Sequence, residues 1–95
     1  MTDKQFQLAV IERDKVCQKC GTAEGLCAHH VVSRRNARLR HQLKNGITLC
    51  VKCHAYAHRV PTLFLDWIIF EWKKTPFKTK DEFLMWKNNH QGEFK

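Results

Sequence analysis

Two identical Cys-x2-Cys pairs, Cys17/Cys20 and Cys50/Cys53, stand 29 residues apart in a chain of 95 residues. Each pair presents two thiolates from one tight turn, and two such turns close a tetrahedron, so the spacing suits zinc better than disulfides. A chain this short leaves a single apolar core little stability margin and needs a staple of this kind. Gly21, directly after the second cysteine, lets the backbone of a knuckle over Val16 to Gly21 turn its amides toward the sulfurs. The four cysteines are therefore expected to hold a structural Zn2+. The fifth, Cys27, is left over and reads as a small apolar strand residue of the core.

Charge narrows the class of partner. Lys and Arg total 17 against 9 acidic residues, a formal net charge of +8, which favours polyanions through long-range attraction and counterion release. No carboxylate occurs between Glu24 and Asp66, whereas Arg34, Arg35, Arg38, Arg40, Lys44, Lys52 and Arg59 all fall there. The opening Met1-Thr2-Asp3-Lys4 is followed by no apolar leader, and the longest apolar run, Leu63 to Phe70, is interrupted by Asp66 and is too short for a bilayer. A soluble, intracellular protein with reduced thiols and no membrane partner is expected.

Local signals divide the chain into a few elements. Thr2-x-x-Gln5 forms a capping box for a helix ending near Asp14, with Phe6, Val10 and Arg13 on one side. Leu26 to Val32 and Gly46 to Cys50 read as strands, joined by the Arg-rich connection Ser33 to Asn45, which is too long for a tight hairpin. His54-Ala-Tyr-Ala-His58 contains helix formers and no breaker before Pro61, so a short helix from the second knuckle sets His54 and His58 on one face. Pro61-Thr62 opens a helix through about Lys73, apolar on most sides and expected to be the main core helix. Thr79-x-x-Glu82 offers a second capping box for a last helix. Trp67, Trp72 and Trp86 lie among apolar neighbours and are assigned to packing, and His41 and His90 to the surface.

His29 and His30 are ambiguous as a pair, because neighbours on a strand point to opposite faces. The full pattern His29-His30-x14-Asn45-x8-His54-x3-His58 changes this, since two strands and a helix could bring its members to one place. Together with Val10-Ile-Glu-Arg-Asp14, Cys17-Gln-Lys-Cys-Gly21, Ala28-His-His-Val-Val32, Asn45-Gly-Ile-Thr-Leu-Cys50 and Cys53-His54, it resembles the HNH endonucleases, small phage-encoded members in particular. The resemblance implies an α+β fold: a ββα-metal core stapled by the four-cysteine zinc, with flanking N- and C-terminal helices. One nuclease domain over residues 1–95 is expected, with its motif core at about 10–60 and C-terminal helices at about 61–90.

The resemblance further implies a metal-dependent DNA endonuclease leaving 3′-hydroxyl and 5′-phosphate ends. His30 would be the general base, Asn45 would hold its imidazole in orientation, and His29, His54 and His58 would ligate a catalytic divalent ion. Phosphodiester hydrolysis needs an activated water and charge neutralisation at the phosphate, which one base and one open-site metal supply. Imidazole ligands suit Mn2+, Ni2+, Co2+ or Zn2+ and bind Mg2+ more weakly. Arg34, Arg35, Arg38, Arg40 and Lys44, close to the base, are candidates for DNA phosphate contacts. Two other readings stay open. One is a two-zinc interaction module using Cys27 and the histidines as a second ligand set; the other is a basic zinc finger that binds DNA without cutting it. Oligomeric state and DNA target are not encoded in any pattern found.

Overall fold

The computed structural model describes residues 1–91, with side chains up to residue 88, so the side chain of His90 lies outside the described residues. Helix α1 (Asp3–Asp14) begins at the expected capping box: Thr2 Oγ1 accepts from the Gln5 amide at 3.1 Å and Gln5 Oε1 accepts from the Thr2 amide at 2.8 Å. Strands β1 (Leu26–His30) and β2 (Gly46–Cys50) pair antiparallel, with Cys27 opposite Leu49 and His30 opposite Gly46. A 3-10 turn, Leu43–Asn45, leads into β2. Helix α2 (Val51–Arg59) follows β2 directly, then α3 (Pro61–Trp67), a π-helical turn (Ile68–Trp72) and α4 (Lys80–Gln91). This is a small α+β fold consistent with the ββα-metal architecture.

The ribbon lies between two helical layers, and alternation along the strands decides what meets each. Gly46 and Thr48 face α1: a Cβ on Gly46 would stand 2.5 Å from Val10 Cγ2 and 2.9 Å from Phe6 Cζ, so only glycine permits this approach. Thr48 Oγ1 donates to the Val10 carbonyl, and its amide donates to Asp14 Oδ2. Arg13 adds bonds to the carbonyls of Leu43 and Gly46, tying the end of α1 to the start of β2. Ile47 and Leu49, both fully buried, belong with Ala57, Phe64 and Ile68 to the core on the other side.

Three details depart from the sequence reading. Strand β1 ends at His30 and not at Val32, because Asn45 takes over the pairing: its backbone carbonyl accepts from Val31 and its Oδ1 from Val32. The helix from Pro61 does not run as α through Lys73; it widens at Ile68–Trp72, where the Lys73 amide reaches the Ile68 carbonyl. It buries Phe64, Ile68 and Ile69 but leaves Leu63 and Phe70 exposed, so it covers one side of the core and does not fill it. At α4 only half of the capping box forms as expected. Thr79 Oγ1 accepts from Glu82, while the Glu82 carboxylate accepts from the Lys78 amide, one residue earlier. Trp67, Trp72 and Trp86 pack against the core, and Trp72 Nε1 donates to Gln18 Oε1.

Candidate metal centres and nuclease site

The first cluster forms where α1 hands over to β1 and where β2 becomes α2. Sγ atoms of Cys17, Cys20, Cys50 and Cys53 all lie within 4.8 Å of one another. Each turn aims an amide at its first sulfur, Cys20 N at Cys17 Sγ and Cys53 N at Cys50 Sγ, both at 3.5 Å. Gly21 supplies the φ of +84° that the first turn requires. Burial opposes ionisation of Cys17, yet the amides of Cys20, Cys50 and Lys19 outweigh it and bring the thiol down to about 6. Cys50 is lowered chiefly by the Cys53 amide, whereas Cys53 is pushed well up by burial and by the neighbouring sulfurs. Four crowded sulfurs thus favour some thiolates at the expense of others, and a dication is the group that would stabilise all of them together. The donor set fits a structural metal, and four thiolates are a ligand set typical of zinc.

The second cluster lines an open cleft of about 850 Å³ on the other side of α2. His29 projects from β1 toward α2, where His54 and His58 lie one helical turn apart, and one ring nitrogen from each of the three falls within 4.8 Å of the others. The His54 and His58 Nε2 atoms are 3.0 Å apart. Phe64 closes the inner wall, with its ring centroid 5.3 Å from that of His29. Burial, then the charges of His54 and His58, hold the His29 pKa down to about 3, and burial likewise lowers His54. Neutral imidazoles whose nitrogens converge are suited to a divalent ion.

His30 takes the opposite face of β1, as alternation requires, and stacks on Phe6 of α1 with centroids 4.6 Å apart and planes 12° from parallel. It still lines the same cleft as His29, His54 and His58, because the cleft wraps the end of the ribbon where β1 stops. No bulge is needed to bring the pair to one cavity. The His30 Nε2 lies 2.9 Å from the Arg40 carbonyl. A carbonyl only accepts, so Nε2 carries the proton and Nδ1 is the basic nitrogen. Burial lowers the His30 pKa, with the Arg40 carbonyl and Asp3 pulling the other way.

The Asn45 side chain makes its hydrogen bonds to backbone and none to the His30 ring. Fully buried, it accepts from the Val32 amide at 2.7 Å and donates to the carbonyls of Val32 and Leu39 at 3.0 and 3.1 Å. Asn45 therefore closes the Arg-rich connection into a fixed loop, and the loop presents the Arg40 carbonyl to His30. The backbone contact that orients the ring was not anticipated, because a carbonyl carries no residue signature. Arg40 has a further engagement: its guanidinium and His41 both grip Asp3 in the first turn of α1. These contacts, the Arg40 hydrogen bond first, hold the Asp3 carboxyl far below its usual range. Lys44 lies over the Trp86 ring at 5.5 Å. Arg34 lines the cleft and Arg35 is exposed, whereas Arg38 is half-buried.

With this geometry in place, residues 17–59 match the family model described as HNH endonuclease. That segment is similar to the HNH endonucleases. The matched span runs from the first zinc-type cysteine to the end of α2, and so contains both clusters, the ribbon and the loop between its strands. No curated protein and no solved structure matches the chain. The similarity suggests a nuclease. Among the described residues, no helix is long and apolar enough to cross a membrane.

Proposed function

We propose that this HNH-like domain is a metal-dependent DNA endonuclease acting in the cytoplasm, with His30 as its general base. One observation carries the reading: three imidazoles converge on one point, while a fourth ring in the same cleft is held by one nitrogen and offers the other. His29, His54 and His58 would hold the divalent ion, which when bound neutralises charge on the scissile phosphate and the departing 3′ oxygen. His30 Nδ1 takes a proton from water as the water oxygen attacks phosphorus, and the bond to the 3′ oxygen breaks with its electron pair left on that oxygen, which takes a proton from solvent. The Arg40 carbonyl keeps the proton on Nε2, which leaves Nδ1 as the nitrogen able to accept one. Asn45 holds the loop that carries this carbonyl. Arg34 and Arg35, exposed and with no ion-pair partner among the described residues, are the best placed of the five predicted cations to meet flanking phosphates. Arg38 and Lys44 are secondary candidates, and Arg40 contributes through its backbone. The two-zinc module has less support, because Cys27 approaches the far side of the His54 ring, at Nδ1, and not the Nε2 that faces His58.

Nicking of supercoiled DNA by the zinc-loaded protein tests the reading. Cleavage is expected only with an added divalent ion such as Mn2+. His30→Ala should reduce it by about 10²- to 10⁴-fold, with the melt and metal content unchanged. Parental cleavage by His30→Ala, or cleavage in chelator by the parent, would overturn it.

A further inference from the structure

Cys27 belongs to neither metal-type cluster, yet it contacts one of them. It projects from β1 on the α2 side, opposite Leu49 in the ribbon. Its Sγ lies 3.3 Å from the Leu49 carbonyl and 3.3 Å from His54 Nδ1. A thiol has one proton and the carbonyl can only accept, so a single arrangement satisfies both contacts. S–H donates to Leu49, and Sγ accepts from Nδ1–H of His54. The reverse arrangement, S–H toward Nδ1, leaves a sulfur lone pair against the carbonyl oxygen.

We infer that Cys27 is a positioning residue that fixes His54 in its Nδ1–H tautomer and thereby aims a basic Nε2 at His29 and His58. The inference rests on the proposed role of those histidines in holding a divalent ion, and it adds what makes one of them ready to do so. A ligating imidazole must present an unprotonated nitrogen, and the tautomer follows from whatever its other nitrogen meets. In the metal-free state His58 Nε2–H can then donate to the bare His54 Nε2 across 3.0 Å. The arrangement also joins the two centres. Leu49 precedes Cys50, so the strand anchored by the cysteine corner supplies the carbonyl that orients the Cys27 thiol, which in turn orients His54.

Three proteins with the cysteine site loaded with zinc test this: the parent, Cys27→Val and Cys27→Ser. Long-range ¹H–¹⁵N spectra without added metal report the His54 tautomer, and Mn2+ uptake followed by EPR reports the histidine site. The parent and Cys27→Ser are expected to show Nδ1–H, and Cys27→Val to lose it. Mn2+ affinity should fall about 10- to 100-fold in Cys27→Val and stay within a few-fold of the parent in Cys27→Ser. The spectra decide the inference by themselves: Nε2–H in the parent, or an unchanged tautomer in Cys27→Val, overturns it. Parental Mn2+ affinity in Cys27→Val overturns it as well. Failure of the parent to take up Mn2+ at all, with the Nδ1–H tautomer present, overturns instead the reading of the histidines as a metal site.

Discussion

The cysteine corner and the histidine cleft share one junction, with Cys50 and Cys53 on one side of it and His54 and His58 immediately beyond, yet they are built to different ends. The corner converges four sulfurs, two of them buried or nearly so at Cys17 and Cys50, and aims backbone amides at both. A tetrahedral ion there has all its positions filled by protein. The cleft converges three nitrogens and opens onto about 850 Å³ of accessible space. An ion there would keep a position free for water or substrate, which distinguishes catalytic from structural sites. Helix α2 thus begins at a donor set that would fill every position of a tetrahedral ion and carries, one turn on, donors that would leave an ion open to the cleft.

Removing one donor from each cluster should therefore have opposite consequences. Cys50→Ala deletes a corner ligand that is also the N-cap of α2, its sulfur accepting from the Cys53 amide. Metal binding and folding form one equilibrium in scaffolds of this size, so the variant is expected to lose its cooperative melt and its zinc. His58→Ala removes an exposed ligand from the cleft. Its stability should stay within about 0.5 kcal/mol of the parent, while activation by Mn2+ disappears. Thermal unfolding by circular dichroism and zinc counting compare the two. A Cys50→Ala protein melting at the parental temperature would show that the corner does not staple the fold.

An intermediate loss is expected from Asn45→Ala. The side chain satisfies three backbone groups in a fully buried place, and truncation leaves them without partners. At about 1 to 3 kcal/mol for each stranded group, discounted for local relaxation, a destabilisation of about 3 to 5 kcal/mol follows. Cleavage should fall further than the folded fraction accounts for, because the Arg40 carbonyl drifts from His30. Mn2+ affinity should not change, since no hydrogen bond among the described residues joins His29, His54 or His58 to the loop closed by Asn45. Equal losses of Mn2+ binding and cleavage would mean that base and metal site are not separable in the way their opposite strand faces imply.

What was legible in the sequence follows the reach of the physical rules involved. The Cys-x2-Cys turns, the Thr2 capping box, the strand Gly46 to Cys50 and the i, i+4 histidines on α2 are set by residues within a turn of each other, and they appear where spacing places them. The early end of β1 was not legible, because a side chain 13 residues away takes the next hydrogen bond. The orienting group for His30 was hidden for a different reason: it is a backbone carbonyl, which any residue at position 40 supplies. Arg40 illustrates the limit of charge counting. In the sequence its side chain reads as a cation awaiting phosphate, but packing of α1 beside the loop gives it Asp3. Cys27 had no pattern to mark it, and its contacts exist only once β1, β2 and α2 are assembled. The π-helical turn after Trp67 was equally silent, since a segment apolar on most sides carries no stripe to select its pitch.

The smallest expected effect tests whether the first helix merely covers the cleft or tunes it. Asp3 draws Arg40 and His41 onto the start of α1, and Arg40 is the residue whose carbonyl holds His30. The pair is solvent-exposed, so its worth to stability is small, and Asp3→Asn should leave the melt nearly unchanged. Its charge, however, faces His30 and favours the imidazolium. A base works only when unprotonated, so the rate should be level above the folded pKa of His30, which burial already sets below the ordinary imidazole value, and should fall about tenfold per pH unit beneath it. Removing the negative charge lowers that pKa further. The acid limb of the nicking rate should therefore move to lower pH in Asp3→Asn, while the plateau drops by less than about fivefold as the Arg40 carbonyl gains freedom. A substitution acting only through general loosening would lower the plateau and leave the limb in place. A limb displaced toward higher pH would show that the carboxylate does not act on His30, and α1 would then be a lid of packing alone.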